Sequence, residues 1–258
     1  MFNEDAVISQ WVADMYDQNE TQTDDVDFLL SVIGQQPKRI LEIACGSGRI
    51  LVPLAMAGHC VTGLDFDECM LARILPKAKG LKNIAWCKAD VIRDDWGSDF
   101  DAVVLAGNIL FNIISDMDYE EAQRLLVQKA SAALVPGGHI YIDYGYTLHP
   151  ENWFGDPSER VIWEGADSSG NYGRMVLSGS TFNAASGITR STRKFELTLA
   201  SGETIVQTIP CMKRFATLEQ IHRWLDSAGC AVEAEYGNYR RDAIGENTGR
   251  AIIWARKR

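Results

Sequence analysis

Apolar residues change their spacing several times along the chain, and each change marks an element. Between residues 5 and 18, Val7, Ile8, Trp11, Val12, Met15 and Tyr16 recur at three- and four-residue intervals, which predicts an amphipathic helix. Residues 24–33 predict a second helix, stopped by Gly34 with Pro37 beyond it. The rhythm then shortens. Residues 39–44 read as a buried strand, a glycine-rich turn follows, and 49–57 read as a helix that stops at Gly58. Strands are predicted at 60–65, 84–90, 100–107 and 139–144. Between them lie a helix over 68–79, broken near Pro76, and an amphipathic helix over 120–134, closed by Pro136-Gly137-Gly138. Strands alternating with helices imply right-handed crossovers and a parallel sheet that takes ligands at its carboxyl edge.

After Tyr146 the texture shifts. Short β-type runs at 160–164, 174–177, 189–199 and 204–209 are separated by Ser168-Ser169-Gly170-Asn171, Ser186-Gly187 and Ser201-Gly202. They predict an antiparallel insertion. Helical spacing returns at 217–228, with Thr217 as N-cap and Gly229 past the end, and 231–236 with 250–255 read as a closing pair of strands. The expected organisation is therefore an α/β domain over 1–150 and 211–258, with a helical N-terminal segment over 1–36 and an antiparallel β insertion over 151–210.

Composition narrows the class. The chain has 258 residues, enough for one α/β domain plus a modest insertion, and 46% of them are hydrophobic, as in a globular protein. Its longest apolar runs are strand-sized, well short of a membrane span. The opening stretch Met1-Phe2-Asn3-Glu4-Asp5 is acidic and lacks the basic-then-apolar plan of a secretory signal. Cys45, Cys60, Cys69, Cys87, Cys211 and Cys230 are scattered, without a C-x-x-C pair, so reduced thiols and a cytoplasmic location are expected, with no membrane partner. A formal net charge of −10 opposes a nucleic-acid partner, because phosphate contacts need a basic surface. The small basic clusters Arg190/Arg193/Lys194, Lys213/Arg214 and Arg240/Arg241 read as solvated strand faces.

The most informative segment runs from Ile40 to Ile50: strand, small-residue turn, helix start. Gly46 and Gly48 allow a sharp turn and a close approach to a ligand. The spacing is E-x-A-x-G-x-G. A dinucleotide fingerprint needs a third glycine where Ile50 and Leu51 stand, and a P-loop needs G-K-[ST]. Glu42, inside the strand, would repel a pyrophosphate and suits a cationic ligand. Asp65 closes the next strand, on the order of twenty residues after the glycines, where α/β nucleoside sites place a carboxylate on ribose hydroxyls. Phe66 can flank an adenine, Asp90 at the third strand end can accept from an adenine amino group, and Asn108 follows the fourth strand at the switch point.

These residues resemble the class I S-adenosylmethionine-dependent methyltransferases over nearly the whole chain. Glu42-Ile43-Ala44-Cys45-Gly46-Ser47-Gly48 looks like their motif I, with Ala44 in place of the usual first glycine. Gly63-Leu64-Asp65-Phe66-Asp67 with Met70-Leu71 looks like motif II, and Leu134-Val135-Pro136-Gly137-Gly138 looks like the turn before the fifth strand. The finer likeness is to the glycine and sarcosine N-methyltransferases and the amino-sugar N,N-dimethyltransferases. It rests on Gly107-Asn108 with Phe111, Ile142-Asp143-Tyr144, the β-rich insertion before Phe215-Ala216-Thr217-Leu218-Glu219, and Tyr16-Asp17 on the first helix. The resemblance implies a doubly wound, Rossmann-like sheet of seven strands with an antiparallel insertion, and S-adenosylmethionine as cofactor. It implies a cofactor-binding set of Tyr16, Glu42, Ala44, Gly46, Gly48, Asp65, Phe66, Asp90, Val91 and Asn108. The glycine enzymes carry an arginine just after the fifth strand, and Tyr144-Gly145-Tyr146 stands there in this chain, so free glycine is not the expected acceptor.

Methyl transfer from a sulfonium is an in-line displacement that needs donor and acceptor held in line and dry. No metal is required, and His59, His139, His149 and His222 show no ligand spacing. An amine acceptor must be neutral, which a base or a desolvating pocket favours. Tyr144, Tyr146 and His149 are the catalytic candidates; Asp143 is either a base or a structural carboxylate. Trp153, Phe154, Trp163 and Tyr172 form either an acceptor wall, a small core under the insertion, or a contact within a homodimer. The expected activity is methyl transfer to a small-molecule amine. A small-molecule oxygen acceptor and a non-catalytic nucleoside-binding protein are the alternatives. The missing third glycine counts against an NAD-dependent oxidoreductase.

Overall fold

The computed structural model describes residues 3–258; Met1 and Phe2, at the head of the acidic opening stretch, lie outside the described residues. Along the chain run α1 (Glu4–Asn19), α2 (Asp24–Ile33), β1 (Arg39–Ile43), α3 (Leu51–Met56), β2 (Cys60–Asp65), α4 (Glu68–Ala72), α5 (Ile74–Lys77), β3 (Ile84–Lys88), β4 (Phe100–Leu105), α6 (Ile109–Asn112) and α7 (Tyr119–Ala133). There follow β5 (Leu134–Tyr144), α8 (Pro150–Phe154), β6 (Arg160–Ala166), β7 (Tyr172–Asn183), β8 (Ile188–Thr198), β9 (Thr204–Arg214), α9 (Leu218–Ser227), β10 (Cys230–Tyr236) and β11 (Ala251–Lys257). Among the described residues, no helix is long and apolar enough to cross a membrane.

The chain divides into two compact units. The larger holds residues 23–148 and 216–258. Its seven strands lie in the order β10-β11-β5-β4-β1-β2-β3. β1 pairs in parallel with β2 and β4, β2 with β3, and β4 with β5, while β11 runs against both β5 and β10. This is the expected doubly wound, Rossmann-like sheet. Winding reverses between β1 and β4, so the crevice at their carboxyl ends is where such a sheet takes a ligand. The core beneath it gathers Leu29, Ile33, Ile40, Leu51, Leu54, Val61, Val104 and Tyr141. α9 starts on a capping box, with Thr217 Oγ1 accepting from Gln220 N–H and Gln220 Oε1 accepting from Thr217 N–H, so Thr217 is the N-cap its sequence suggested.

The smaller unit holds residues 149–215 together with the chain up to Gln22. It is a four-stranded antiparallel sheet, β6-β7-β8-β9, with α1 packed on one face. Trp11 has no exposed surface, and its indole N–H donates to Gly165 O at 3.0 Å. Gly173 makes room for that ring, since a Cβ there would stand 2.8 Å from Trp11 Cε2. α1 groups with the antiparallel sheet and α2 with the larger unit, and the boundaries fall at 22/23, 148/149 and 215/216. Helical periodicity marks which face of α1 is apolar but carries no information on which partner buries it.

Other differences are local. The 68–79 helix breaks at Arg73, ahead of Pro76, because a proline ring excludes the carbonyl four residues earlier; Pro76 then sits in the first turn of α5. Pro136-Gly137-Gly138 lies inside β5, where the pairing shifts register opposite Phe100 and Ala102, and does not close the helix before it. The insertion's strands outrun their short apolar runs, β7 reaching 12 residues and β8 and β9 11 each, while the breakers at 168–171, 186–187 and 201–202 fall in the turns between them.

Candidate functional site

The glycine-rich turn at the end of β1 is built by left-handed backbone. Ala44 has φ 58°, Gly46 53° and Gly48 80°. Cys45 N–H donates to Leu64 O at 3.0 Å and Gly48 N–H to Cys45 O at 2.9 Å, which ties the turn to β2 and to itself. Gly48 is further constrained, since a Cβ would stand 3.0 Å from Ile74 Cγ1 and 3.2 Å from Val52 Cγ2. Ala44 pays for a conformation that glycine adopts freely. Ala44→Gly is therefore expected to raise stability, by up to about 1 kcal/mol, in chemical denaturation. An unchanged or lower midpoint would show that the left-handed alanine carries no strain.

Carboxylates converge on this turn. Asp65, 7% exposed, accepts from Gly46 N–H at 2.8 Å through Oδ2 and from Asp67 N–H at 2.9 Å through Oδ1. Burial raises its pKa, and those backbone donors pull the other way. Glu42 is 4% exposed, and its Oε2 is buried without a hydrogen-bond partner. Burial pushes its carboxyl well above the usual range; the Arg49 guanidinium opposes this, while Asp65 and Asp25 add to it. Arg49 is held by Asp25 through a bidentate pair, Nη1 to Oδ1 at 2.8 Å and Nη2 to Oδ2 at 2.5 Å. Phe66 is 60% exposed directly beside Asp65, an open ring face of the kind an adenine can stack on.

Asp90 stands in the turn after β3. Its Oδ1 accepts from Ile92 N–H at 2.9 Å and Arg93 N–H at 3.3 Å, and its Oδ2 lies 3.6 Å from Arg93 Nε. Val91 O accepts from Trp96 Nε1 at 2.9 Å and Lys129 Nζ at 2.8 Å, so this turn is fixed by its own contacts. After β4, Gly107 and Asn108 are both left-handed, and Asn108 Oδ1 accepts from Gly145 N–H. Asn108 thus joins the ends of β4 and β5.

The three catalytic candidates separate. Tyr144 has no exposed surface, and its hydroxyl accepts from Ala216 N–H at 2.8 Å. A side chain so enclosed lines no open pocket; Tyr144 anchors the chain where it returns to the sheet. Tyr146 is 7% exposed, and burial, then Glu235, raises its phenol pKa, which keeps the hydroxyl protonated. His149 lies in the smaller unit, with Nδ1 3.4 Å from Glu151 Oε1. Tyr16, expected on the cofactor, meets Trp163 edge-on at 6.2 Å within that same unit.

Asp143 takes the structural one of its two readings. It is 2% exposed and accepts from Tyr239 Oη at 2.7 Å and from Arg250, whose guanidinium lies 5.0 Å from the Tyr239 ring. The aromatic residues do not form one wall. Phe154 packs among Trp153, Phe182 and Phe215 as a small core, while Tyr172 is exposed and donates to Glu164 at 2.7 Å. The Lys213/Arg214 pair is no solvated face, since Arg214 is 6% exposed and burial, then Arg193, pushes Lys213 down to about 8. Sequence reasoning missed Asp25 and Arg49, and it quoted Gly63 only within the motif II likeness, without its close packing. Gly63 alone carried a signal, a glycine inside a strand, which marks close backbone approach.

The family described as a methyltransferase domain matches residues 40–138. Similar curated proteins include a ribosomal RNA small subunit methyltransferase C of Chromohalobacter salexigens, 34% identical over 46% of this chain and 35% of its own length. A putative methyltransferase of Bacillus subtilis is 31% identical over 49% of this chain and 53% of its own. A glycine N-methyltransferase of Rattus norvegicus is 28% identical over 43% of this chain and 42% of its own. The matched region thus spans about a third to a half of these relatives' lengths. Among solved structures, a methyltransferase of Streptomyces caelestis is 17% identical over 96% of this chain and 97% of its own, with TM-score 0.74. An amino pentose methyltransferase from Micromonospora echinaspora, solved with S-adenosylmethionine bound, is 20% identical over 100% and 98%, with TM-score 0.66. Residues 40–138 therefore carry a methyltransferase domain, on the fold of the class I S-adenosylmethionine-dependent methyltransferases.

Proposed function

We propose that this chain, a class I S-adenosylmethionine-dependent methyltransferase, transfers a methyl group to an amine nitrogen of a small molecule. The observation that carries the cofactor reading is Glu42. A buried carboxylate oxygen without a partner, beside a left-handed glycine turn, calls for a cation and would repel a pyrophosphate. Asp65 and exposed Phe66 complete a nucleoside cradle at the end of β2. When bound, the cofactor supplies a methyl group on a sulfonium. The protein's own task is to hold, align and dry the reacting groups. Asn108 and Gly145 fix the ends of β4 and β5, and Tyr146 offers a neutral phenol to orient an acceptor.

The amine preference draws on structural relatives described as an amino pentose methyltransferase, a sugar N-methyltransferase and a glycopeptide N-methyltransferase, and on the rat glycine N-methyltransferase. The net charge of −10 opposes an RNA acceptor of the kind named for the Chromohalobacter relative. Calorimetry with S-adenosylmethionine and, separately, NAD tests the cofactor, and binding of the former alone is expected. Product mass spectrometry with amines, amino sugars, phenols and a ribosomal RNA fragment then tests the acceptor, with a gain of one methyl expected among the amines. NAD binding, or methylation of the RNA alone, would overturn the proposal.

A further inference from the structure

Arg190, Arg193 and Lys194 form one basic cluster in sequence, but β8 divides them between two faces of the antiparallel sheet. Successive residues of a strand point to opposite sides, and residues paired directly across a ladder share a side. Phe195, Leu197 and Ile205 pack with α1 and so mark the helix-bearing face. By alternation Arg193 lies on that face, with Arg190 and Lys194 on the other. Arg160 pairs with Leu177, Leu177 with Arg193, and Arg193 with Ile209, which makes one row across all four strands. Further along the same face Ser191 pairs with Cys211, and then Thr189 with Lys213.

The two faces differ in charge. On the face without the helix, acid and base alternate. Arg174 lies 3.9 Å from Glu164 and 3.8 Å from Glu196, and Lys194 lies 2.6 Å from Glu196. On the helix-bearing face the charged strand residues are Arg160, Arg193 and Lys213, all basic. α1 brings Asp5 to its edge, where the carboxylate accepts from Gln207 Nε2 at 2.6 Å. Among the described residues Arg193 forms no ion pair. It is only part-exposed, as is Lys213, which burial first and Arg193 next push down to about 8. In a chain of net charge −10, three bases on an acid-free face do not follow from composition. Gathered like charges repel one another, and an anion among them relieves that cost.

We propose that the helix-bearing face of the antiparallel sheet holds an oxyanion group of the methyl acceptor, a carboxylate or a phosphate, with Arg193 as its anchor. This deepens the amine reading above: the acceptor is an amine that also carries an acid group. A planar guanidinium suits either oxyanion, because both present paired oxygens to its fork. From Ile209, opposite Arg193, to Lys213 is four residues, roughly 14 Å at the rise of an antiparallel strand. Ser191 and Cys211, both small, occupy the interval and leave room above them. A group seated there meets Arg193 from one side and Lys213 from the other, with the Ser191 hydroxyl as a donor between them.

Inorganic phosphate is the probe, titrated into the whole chain at low ionic strength, where screening is weak. Binding is read as broadening of the phosphorus NMR line. Wild type should broaden the line. Reversal by succinate assigns the site to carboxylates, and persistence of the broadening assigns it to phosphates. Arg193→Gln should raise the phosphate Kd at least about tenfold, Arg193→Lys should keep part of the affinity, and Lys194→Gln, on the other face, should match wild type. Unchanged melting temperatures show that the variants are folded. No phosphate binding by wild type, wild-type binding by Arg193→Gln, or equal losses in Arg193→Gln and Lys194→Gln would overturn the inference. Turnover on matched amines, glucosamine with glucosamine 6-phosphate and β-alaninamide with β-alanine, then places the site on the acceptor. Arg193→Gln should raise KM for the acidic member of a pair and leave S-adenosylmethionine affinity unchanged. Methylation confined to neutral amines would overturn the inference and leave the amine reading standing. Methylation of no amine would overturn the amine reading, on which the phosphate titration does not depend.

Discussion

Asp65→Ala is expected to remove S-adenosylmethionine binding, with the Kd raised at least about a hundredfold, or ~2.7 kcal/mol. The carboxylate has two tasks. Its oxygens hold Gly46 N–H at 2.8 Å and Asp67 N–H at 2.9 Å, which joins the glycine turn to the start of α4. In the proposed site it also receives the ribose hydroxyls. Alanine leaves one buried and one part-buried donor unsatisfied, at about 1–3 kcal/mol for each that finds no water. Calorimetry should show no heat of binding, and the melting temperature should fall as well. Asp65→Asn keeps one acceptor oxygen and should lie between. Wild-type affinity in Asp65→Ala would move the ribose site away from the end of β2.

Gly63→Val is expected to destabilise the larger unit by more than about 3 kcal/mol, beyond the usual range for overpacking. A Cβ at residue 63 would stand 2.7 Å from Cys45 Sγ, 2.7 Å from Leu51 Cδ2 and 2.9 Å from Cys45 Cβ. All three are buried, and Cys45 belongs to the turn itself, so relief by side-chain motion would distort the site. Gly63→Ala should cost about 1–3 kcal/mol. Gly58→Ala is the control. Its φ of +95° strains any side chain, but nothing lies within 4 Å of the added carbon. Urea denaturation of the three variants decides the matter; a Gly63→Ala no worse than Gly58→Ala would mean that β2 and the turn are less tightly packed than the distances say.

Much of the candidate site's backbone was legible because its geometry is local. The E-x-A-x-G-x-G spacing located a turn with left-handed backbone, including the alanine in a glycine position. Asp65, Phe66 and Asp90 follow from strand ends, and a strand end in an α/β sheet has one direction and one edge. The carboxylate pattern was readable for the same reason. Tyr144 and Asp143 were not, because both stand at the end of one strand and alternation assigns faces without saying what covers each. Ala216 N–H covers one, Tyr239 and Arg250 the other, and all three arrive from more than seventy residues away.

By itself, the order of apolar and polar positions determined the alternation of strands and helices, the parallel strands that follow from it, the antiparallel insertion and the glycine-rich turn. Each depends on a period of two or of 3.6 residues, or on a backbone angle that few residue types tolerate. Tertiary structure alone decided that α1 belongs with the antiparallel sheet, that Asp25 holds Arg49, and that Glu42 keeps Oε2 buried without a hydrogen-bond partner. Those outcomes depend on which distant surfaces meet. Burial and long-range charge pairing arise from packing, so no spacing along the chain encodes them.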